Sequence, residues 1–103
     1  MPVAYIQEFD IVGGDTSTTN YDAVVAALDL GAPPDGLIAH TAGFDVSDGV
    51  FRIFDVWETR EQGERFISEQ LNPVLQTLMA EAAEGDFAPP TLDTWYELHD
   101  VMA

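Results

Sequence analysis

The chain has 103 residues, 47% of them apolar, which is enough for one buried core and too many for a disordered acidic tail. Nineteen acidic residues face three arginines and no lysine, for a net charge of −16, which excludes nucleic-acid backbones and anionic membrane surfaces as natural partners because both need clustered basic side chains. With no cysteine, disulfides and thiolate metal sites are excluded as well, and the acidic excess reads as a solubilising shell, with a salt-adapted source or a GC-rich coding bias as further reasons.

Residues 3–12, VAYIQEFDIV, alternate imperfectly and are rich in β-branched and aromatic side chains, which predicts a first strand. The N-terminus carries no positively charged n-region, and no segment approaches the roughly 20 apolar residues of a membrane span, so a cytoplasmic protein is expected. GGDTST follows as a loop. Asn20 is the expected N-cap of a helix whose apolar face is Tyr21, Val24, Val25 and Leu28, and Gly31 with the APPDG run is expected to stop it.

Residues 37–44 and 50–57 predict two strands around a tight turn at Val46–Gly49, with Gly49 supplying a positive φ. Counting outward from that turn opposes Phe44 to Phe51, Ala42 to Ile53, His40 to Asp55 and Ile38 to Trp57. Directly opposed residues share a face, so His40 and Asp55 form a cross-strand pair with Trp57 beside it. A slip of one residue would separate them onto opposite faces. Thr59 and Gln62 then have the form of a capping box. The helix behind them carries Phe66, Ile67, Leu71, Val74, Leu75 and Leu78 as its apolar stripe. Pro73 is expected to kink or split this helix, with Asn72 leaving the helical region. EGDFAPP reads as a loop and residues 92–101 as a closing strand that carries His99.

The order β-α-β-β-α-β predicts a single ferredoxin-like α+β domain over residues 1–103. Right-handed crossovers give a four-stranded antiparallel sheet, order 4-1-3-2, with both helices on one face. Tyr5, Phe9, Phe44, Phe51, Phe54, Trp95 and Tyr96 cannot all fit beneath two helices, so the open face is expected to pair in a homodimer.

This order and length resemble the dimeric α/β-barrel superfamily, particularly its antibiotic-biosynthesis-monooxygenase-like branch. The local match is RIFDVWETREQGERF, a strand ending in Trp57-Glu58 that runs into a helix. PPDGLIAHTAG is similar to a stretch of small uncharacterised bacterial members. The resemblance implies a pocket between sheet and helices, bordered by Trp57, and activities among cofactor-independent oxygenases, polyketide cyclases and isomerases. Many monooxygenases of the branch carry a histidine nine residues after that tryptophan, where this chain has Phe66. Haem-degrading relatives need an axial histidine on a helix, and no helical histidine is expected here, so haem degradation is not implied and no cofactor is expected.

A His–carboxylate pair fixes the imidazole tautomer and raises its basicity. Beside the aromatic wall of Trp57, His40 could act as a general base, with Asp55 as its partner. Equally, the pair could be a satisfied polar contact in the core or at an interface. Phe66 and Tyr21 are further candidates to contact a substrate; Tyr5, Tyr21 and Tyr96 are expected in the core or at an interface, and one of them could donate a hydrogen bond to a substrate. Arg52 is expected to pair with surface carboxylates, with an anionic substrate as the alternative. Two histidines without a local cluster do not make a metal motif, and none is expected. The resulting expectation is a small-molecule enzyme, a cofactor-independent monooxygenase or cyclase for an apolar aromatic or polyketide-like substrate. The alternative is a non-catalytic dimer that binds a small molecule or serves a stress or accessory role.

Overall fold

The computed structural model describes residues 1–11, 18–81 and 89–102, and the loops expected at residues 13–18 and 84–90 lie mostly outside them. In chain order the elements are β1 (Val3–Asp10), α1 (Thr19–Leu28), β2 (Leu37–Asp45), β3 (Val50–Trp57), α2 (Arg60–Phe66), a π-helical turn (Ile67–Leu71), α3 (Asn72–Glu81) and β4 (Leu92–Glu97). The strands form one antiparallel sheet in the order β2-β3-β1-β4, which is the expected ferredoxin-like arrangement.

The register sorts the side chains by face. Val3, Tyr5, Gln7 and Phe9 share a face with Trp57, Asp55, Ile53 and Phe51 of β3. His40, Ala42 and Phe44 of β2 and Trp95 and Asp93 of β4 complete that face. The helices lie over it. Tyr21 of α1 meets the Phe51 ring at 5.5 Å, and a Cβ on Gly63 of α2 would stand 2.7 Å from Trp95 and 3.1 Å from Trp57. Five of the seven aromatic residues in question therefore fit on the helix side, and only Phe54 and Tyr96 stand on the open face with Ile6. The core centres on Val3, Tyr5 and Trp57, with Leu37, Phe66, Ile67 and Trp95 packed against it.

Several local expectations shift. Helix α1 starts at Thr19, so Thr18 rather than Asn20 holds the N-cap position, with its hydroxyl bound to Asp22 (2.7 Å). The helix stops at Asp29, which takes up the left-handed conformation (φ 48°) two residues before Gly31. A short acidic side chain tolerates that region, so glycine is not required. Val25, placed on the apolar face by its spacing, is half exposed, and α1 fully buries none of its residues.

The second helix is split next to Pro73, as expected, into α2 and α3 joined by the π-helical turn Ile67–Leu71, but Asn72 does not leave the helical region. Asn72 stays helical (φ −59°, ψ −43°), and its N–H reaches back five residues to the Ile67 carbonyl. Proline lacks an N–H, and its ring would crowd the carbonyl four residues earlier. The wider π turn just ahead of it relieves that crowding while keeping the chain helical. β4 ends at Glu97, so His99 lies beyond the strand.

Gly63 lets α2 approach the sheet closely enough to cover Trp57. Gly63→Ala would gain helix propensity but drive a methyl group into two rigid indoles. Overpacking outweighs propensity here, and a net loss of about 1–2 kcal/mol is expected, read from the denaturant midpoint. An unchanged midpoint would mean that α2 stands off the sheet.

Candidate functional site

The site is built on the β2–β3 hairpin. Asp45 accepts a hydrogen bond from the Asp48 backbone N–H (3.1 Å), and Gly49 closes the turn with φ 69° and an N–H to Val46 (3.2 Å). From this turn the pairing runs Phe44↔Phe51, Ala42↔Ile53 and His40↔Asp55, as the count from the sequence requires. The two phenylalanine rings pack at 4.9 Å and help hold that register.

The count fails one step further along. Trp57 is opposed by Leu37, not Ile38, because the ladder shifts between Leu37 and Ala39. An extra residue in one strand of a pair re-aims the side chains beyond it. Here the shift turns Leu37 toward the core around Trp57. Gly36, at φ 87°, is the turn residue just before the strand, and its carbonyl accepts the Glu58 N–H at 2.7 Å. A Cβ at Gly36 would fall 2.4 Å from the Gln62 amide oxygen. The bulge lies on the far side of His40 from the turn, so the His40–Asp55 pair survives it.

His40 Nδ1 is hydrogen-bonded to Asp55 Oδ1, and its Nε2 lies 2.7 Å from the Tyr21 hydroxyl on α1. The three side chains form a chain from helix to sheet. With His40 neutral, Nδ1–H donates to the carboxylate and Nε2 accepts from the Tyr21 O–H. The Asp55 hydrogen bond and charge hold the His40 pKa above the ordinary 6.5, and burial opposes them. Burial first, then the charges of Asp55 and Asp22, pushes the Tyr21 phenol up, so it remains a protonated donor. Asp55 is well covered, with 15% of its side chain exposed, while His40 keeps 40% exposed and open to a ligand.

Trp57 lies on the same face, 1% exposed, with its ring 5.7 Å from Phe66. Its indole N–H is buried, with no hydrogen-bond partner among the described residues. Such a group costs about 1–3 kcal/mol unless a ligand or water completes it. Tyr21 joins His40 and Asp55, while Trp57 and Phe66 belong to the adjoining aromatic core.

Arg52 does not join them. It stands on the open face, where Glu8 (2.6 Å), Asp45 (3.0 Å) and Asp48 (3.5 Å) surround its guanidinium. The expected pairing with surface carboxylates is what the structure shows, and a substrate role at the helix-side site is not available to it.

Sequence reasoning missed a second polar group on the helix-side face. Tyr5 donates to Asp93 Oδ2 at 2.7 Å, and Gln7 Nε2 donates to the same oxygen at 3.3 Å. Tyr5 is a core residue, as expected, and it stacks on Trp95 at 4.2 Å, but its hydroxyl partner was not legible. The register of β1 against β4 was the missing signal, because it places Gln7 opposite Asp93.

No family model and no curated protein matches the chain. Solved structures do match over essentially its whole length. Rv0793 from Mycobacterium tuberculosis is 16% identical, covers 100% of both chains and has a TM-score of 0.69. A candidate antibiotic biosynthesis monooxygenase from Chloroflexus aurantiacus is 14% identical, over 100% of this chain and 98% of that one, at 0.65. SnoaB from Streptomyces nogalater, a cofactor-independent oxygenase solved as a point mutant, is 16% identical over 98% and 96%, at 0.62. The chain shares with these structures its fold, a ferredoxin-like α+β sheet with helices on one face. Within that fold, no helix among the described residues is long and apolar enough to cross a membrane.

The raised His40 pKa has a definite sign. Its favourable pairing is fully present below about pH 6.5 and is lost as the pH rises through the higher folded value. Proton NMR titration should place the His40 midpoint above 6.5, and Asp55→Asn should lower it. A His40 midpoint that Asp55→Asn leaves in place would remove the carboxylate as its cause.

Proposed function

We propose that this protein is a small-molecule enzyme that takes a proton from an acidic hydroxyl or carbon of an apolar, aromatic or polyketide-like substrate, with His40 as the general base. The observation that carries this reading is the Asp55–His40–Tyr21 chain, anchored in the sheet and ending at the helix side. The similarity to a cofactor-independent oxygenase supports oxygenation as the use of that proton transfer. A deprotonated phenol or enol can pass one electron to dioxygen, and recombination of the two radicals forms the new carbon–oxygen bond. The proton held on His40 then returns to the peroxide oxygen, and loss of water leaves the oxidised ring. Cyclisation would use the same abstraction without oxygen.

In this reading each residue has a separate task. Asp55 holds the imidazole with Nε2 outward and stabilises the imidazolium once the proton arrives. Nε2 has one lone pair, and the Tyr21 hydroxyl occupies it. A substrate hydroxyl must therefore take the place of the Tyr21 phenol, which marks where the reacting group docks. Trp57 and Phe66 form an apolar wall behind the site.

The same proposal makes the protein a cytoplasmic homodimer closed through the open sheet face. That face carries Ile6 and Phe54, with Tyr96 45% and Leu92 39% exposed. Two copies would bury this surface against each other. Light scattering on the full chain should give twice the mass of one chain, and Phe54→Glu should halve it. A wild-type mass of one chain would remove the dimer.

For the chemistry, oxygen uptake and product mass are followed with hydroxylated naphthalenes and anthrones. His40→Ala should lower kcat about 10²–10⁴-fold, the usual worth of a general base. The wild-type rate should rise with pH through the His40 value, since only the neutral imidazole accepts a proton. Tyr21→Phe should keep kcat and lower KM by removing the competing hydroxyl. Unchanged turnover in His40→Ala would end the proposal, and a loss in Tyr21→Phe as large as in His40→Ala would assign proton transfer to the phenol instead.

A further inference from the structure

Helix α1 is weak by its own sequence. It has ten residues, a length at which an isolated helix is marginal in water. No basic side chain stands in its last turn, and Asp29 puts a negative charge at the C-cap, where the helix dipole is already negative. The closing hydrogen bond, from the Asp29 N–H to the Val25 carbonyl, is long at 3.3 Å.

Packing adds little to it. Tyr21, Ala23, Val24 and Leu28 are half-buried, and the other residues of the helix are exposed. Its chief neighbour is α3, which among its described residues buries none fully. Against the sheet, the contacts of α1 centre on Tyr21. The hydroxyl lies 2.7 Å from His40 Nε2, the ring runs parallel to the imidazole at 6.3 Å, and it meets the Phe51 ring at 5.5 Å. A helix this short, once off the sheet, has nothing to keep it helical.

The chain beyond α1 limits how far such a loss would spread. Asp29, Leu30, Gly31 and Ala32 are exposed, and Pro33 and Pro34 then stiffen the backbone. The Leu37 N–H donates to the Pro34 carbonyl at 3.1 Å, and the Glu58 N–H donates to Gly36, so the entry to β2 is tied down independently of the helix. Helix α2 is held in a different way, because Gly63 seats it against two indoles.

These features converge on His40. Asp55 occupies Nδ1 and Tyr21 occupies Nε2, so neither ring nitrogen is free while α1 is docked. We propose that α1 is the gate of this site. The helix leaves the sheet and unravels as one unit, the Tyr21–His40 hydrogen bond is its latch, and His40 Nε2 meets a reactant only in that open state. The gate rests on the proposed site for its purpose, but its opening does not depend on any reaction.

Hydrogen exchange of the full chain and carbethoxylation of its histidines by diethyl pyrocarbonate test the gate, both read by peptide mass spectrometry. His99, exposed beyond β4, is the internal reference. In the wild type, α1 amides should exchange at least about tenfold faster than those of β1 and β3, as a unit that opens without global unfolding. His40 should react more slowly than His99 at an equal fraction of neutral imidazole. Tyr21→Phe keeps the ring and removes the latch. It should speed α1 exchange about three- to tenfold, the worth of one hydrogen bond, and speed His40 modification by the same factor. The strands and His99 should not change. Ala27→Gly weakens the helix at an exposed position away from the latch, and should speed both readings about four- to fivefold. Strand-like protection of α1, or His40 reacting as fast as His99, would overturn the gate. So would Tyr21→Phe speeding His40 modification without α1 exchange, which would assign access to rotation of the phenol alone, or Ala27→Gly speeding exchange without His40 modification. Full turnover in His40→Ala would end the proposed chemistry and leave these readings as they are, so the base and the gate fail separately.

Discussion

The parity of the β2–β3 register is the constraint on which the rest of the structure depends. Side chains alternate along a strand, so a shift of one residue would carry His40 away from Asp55 and turn Phe44 from Phe51. The same parity faces Asp55 and Trp57 toward the helices and sends Arg52 and Phe54 to the open side. A four-residue turn closed by Asp45 and Gly49 sets it, and the Phe44–Phe51 contact reinforces it. The core, the polar pair and the sidedness of the sheet are thus consequences of one turn.

The two ends of the helix-side face are held differently. At the α2 end, Gly63 permits contact with two indoles, and Trp57, Phe66 and Ile67 pack closely around Val3 and Tyr5. At the α1 end, the helix fully buries no residue, and Tyr21 meets the sheet through a hydrogen bond to His40 and an edge contact with Phe51. Few buried apolar contacts mean a low cost for local displacement. In the proposed reaction a substrate that competes for His40 would therefore displace a lightly held phenol and leave the rigid wall at Trp57 undisturbed.

Much of this was legible in the sequence because it depends on period and turn chemistry. Strand alternation, the Thr59 cap and the helical stripe from Phe66 to Leu78 fixed the element order, and the hairpin count paired His40 with Asp55. What escaped depended on geometry that no local pattern encodes. The bulge at Ile38 lies next to a close fit of Gly36 to Gln62, a contact between residues far apart in sequence. The helical conformation of Asn72 follows from a π turn that propensity does not signal. Gln7 and Asp93 are 86 residues apart, and their meeting was hidden until β1 and β4 paired. Arg52 went to the other face by the same parity that brought His40 and Asp55 together, so its exclusion from the site could have been read from the hairpin count.

The acidic excess bears on the chemistry as well as on solubility. A carboxylate beside the imidazole makes His40 a stronger base but also holds a proton on it to higher pH. The two effects oppose each other near neutrality, where a stronger base is less often free to act. The Tyr21 hydroxyl donates to a neutral Nε2 and accepts from a protonated one, so the imidazole keeps this partner in both states. An incoming phenol or enol is more acidic than Tyr21, whose own acidity burial and the neighbouring carboxylates suppress. Exchange of one hydroxyl for the other on Nε2 thus replaces a poor acid with a good one. In the proposed reaction the resting contact would hold the imidazole in place until a substrate able to give up its proton displaced the phenol.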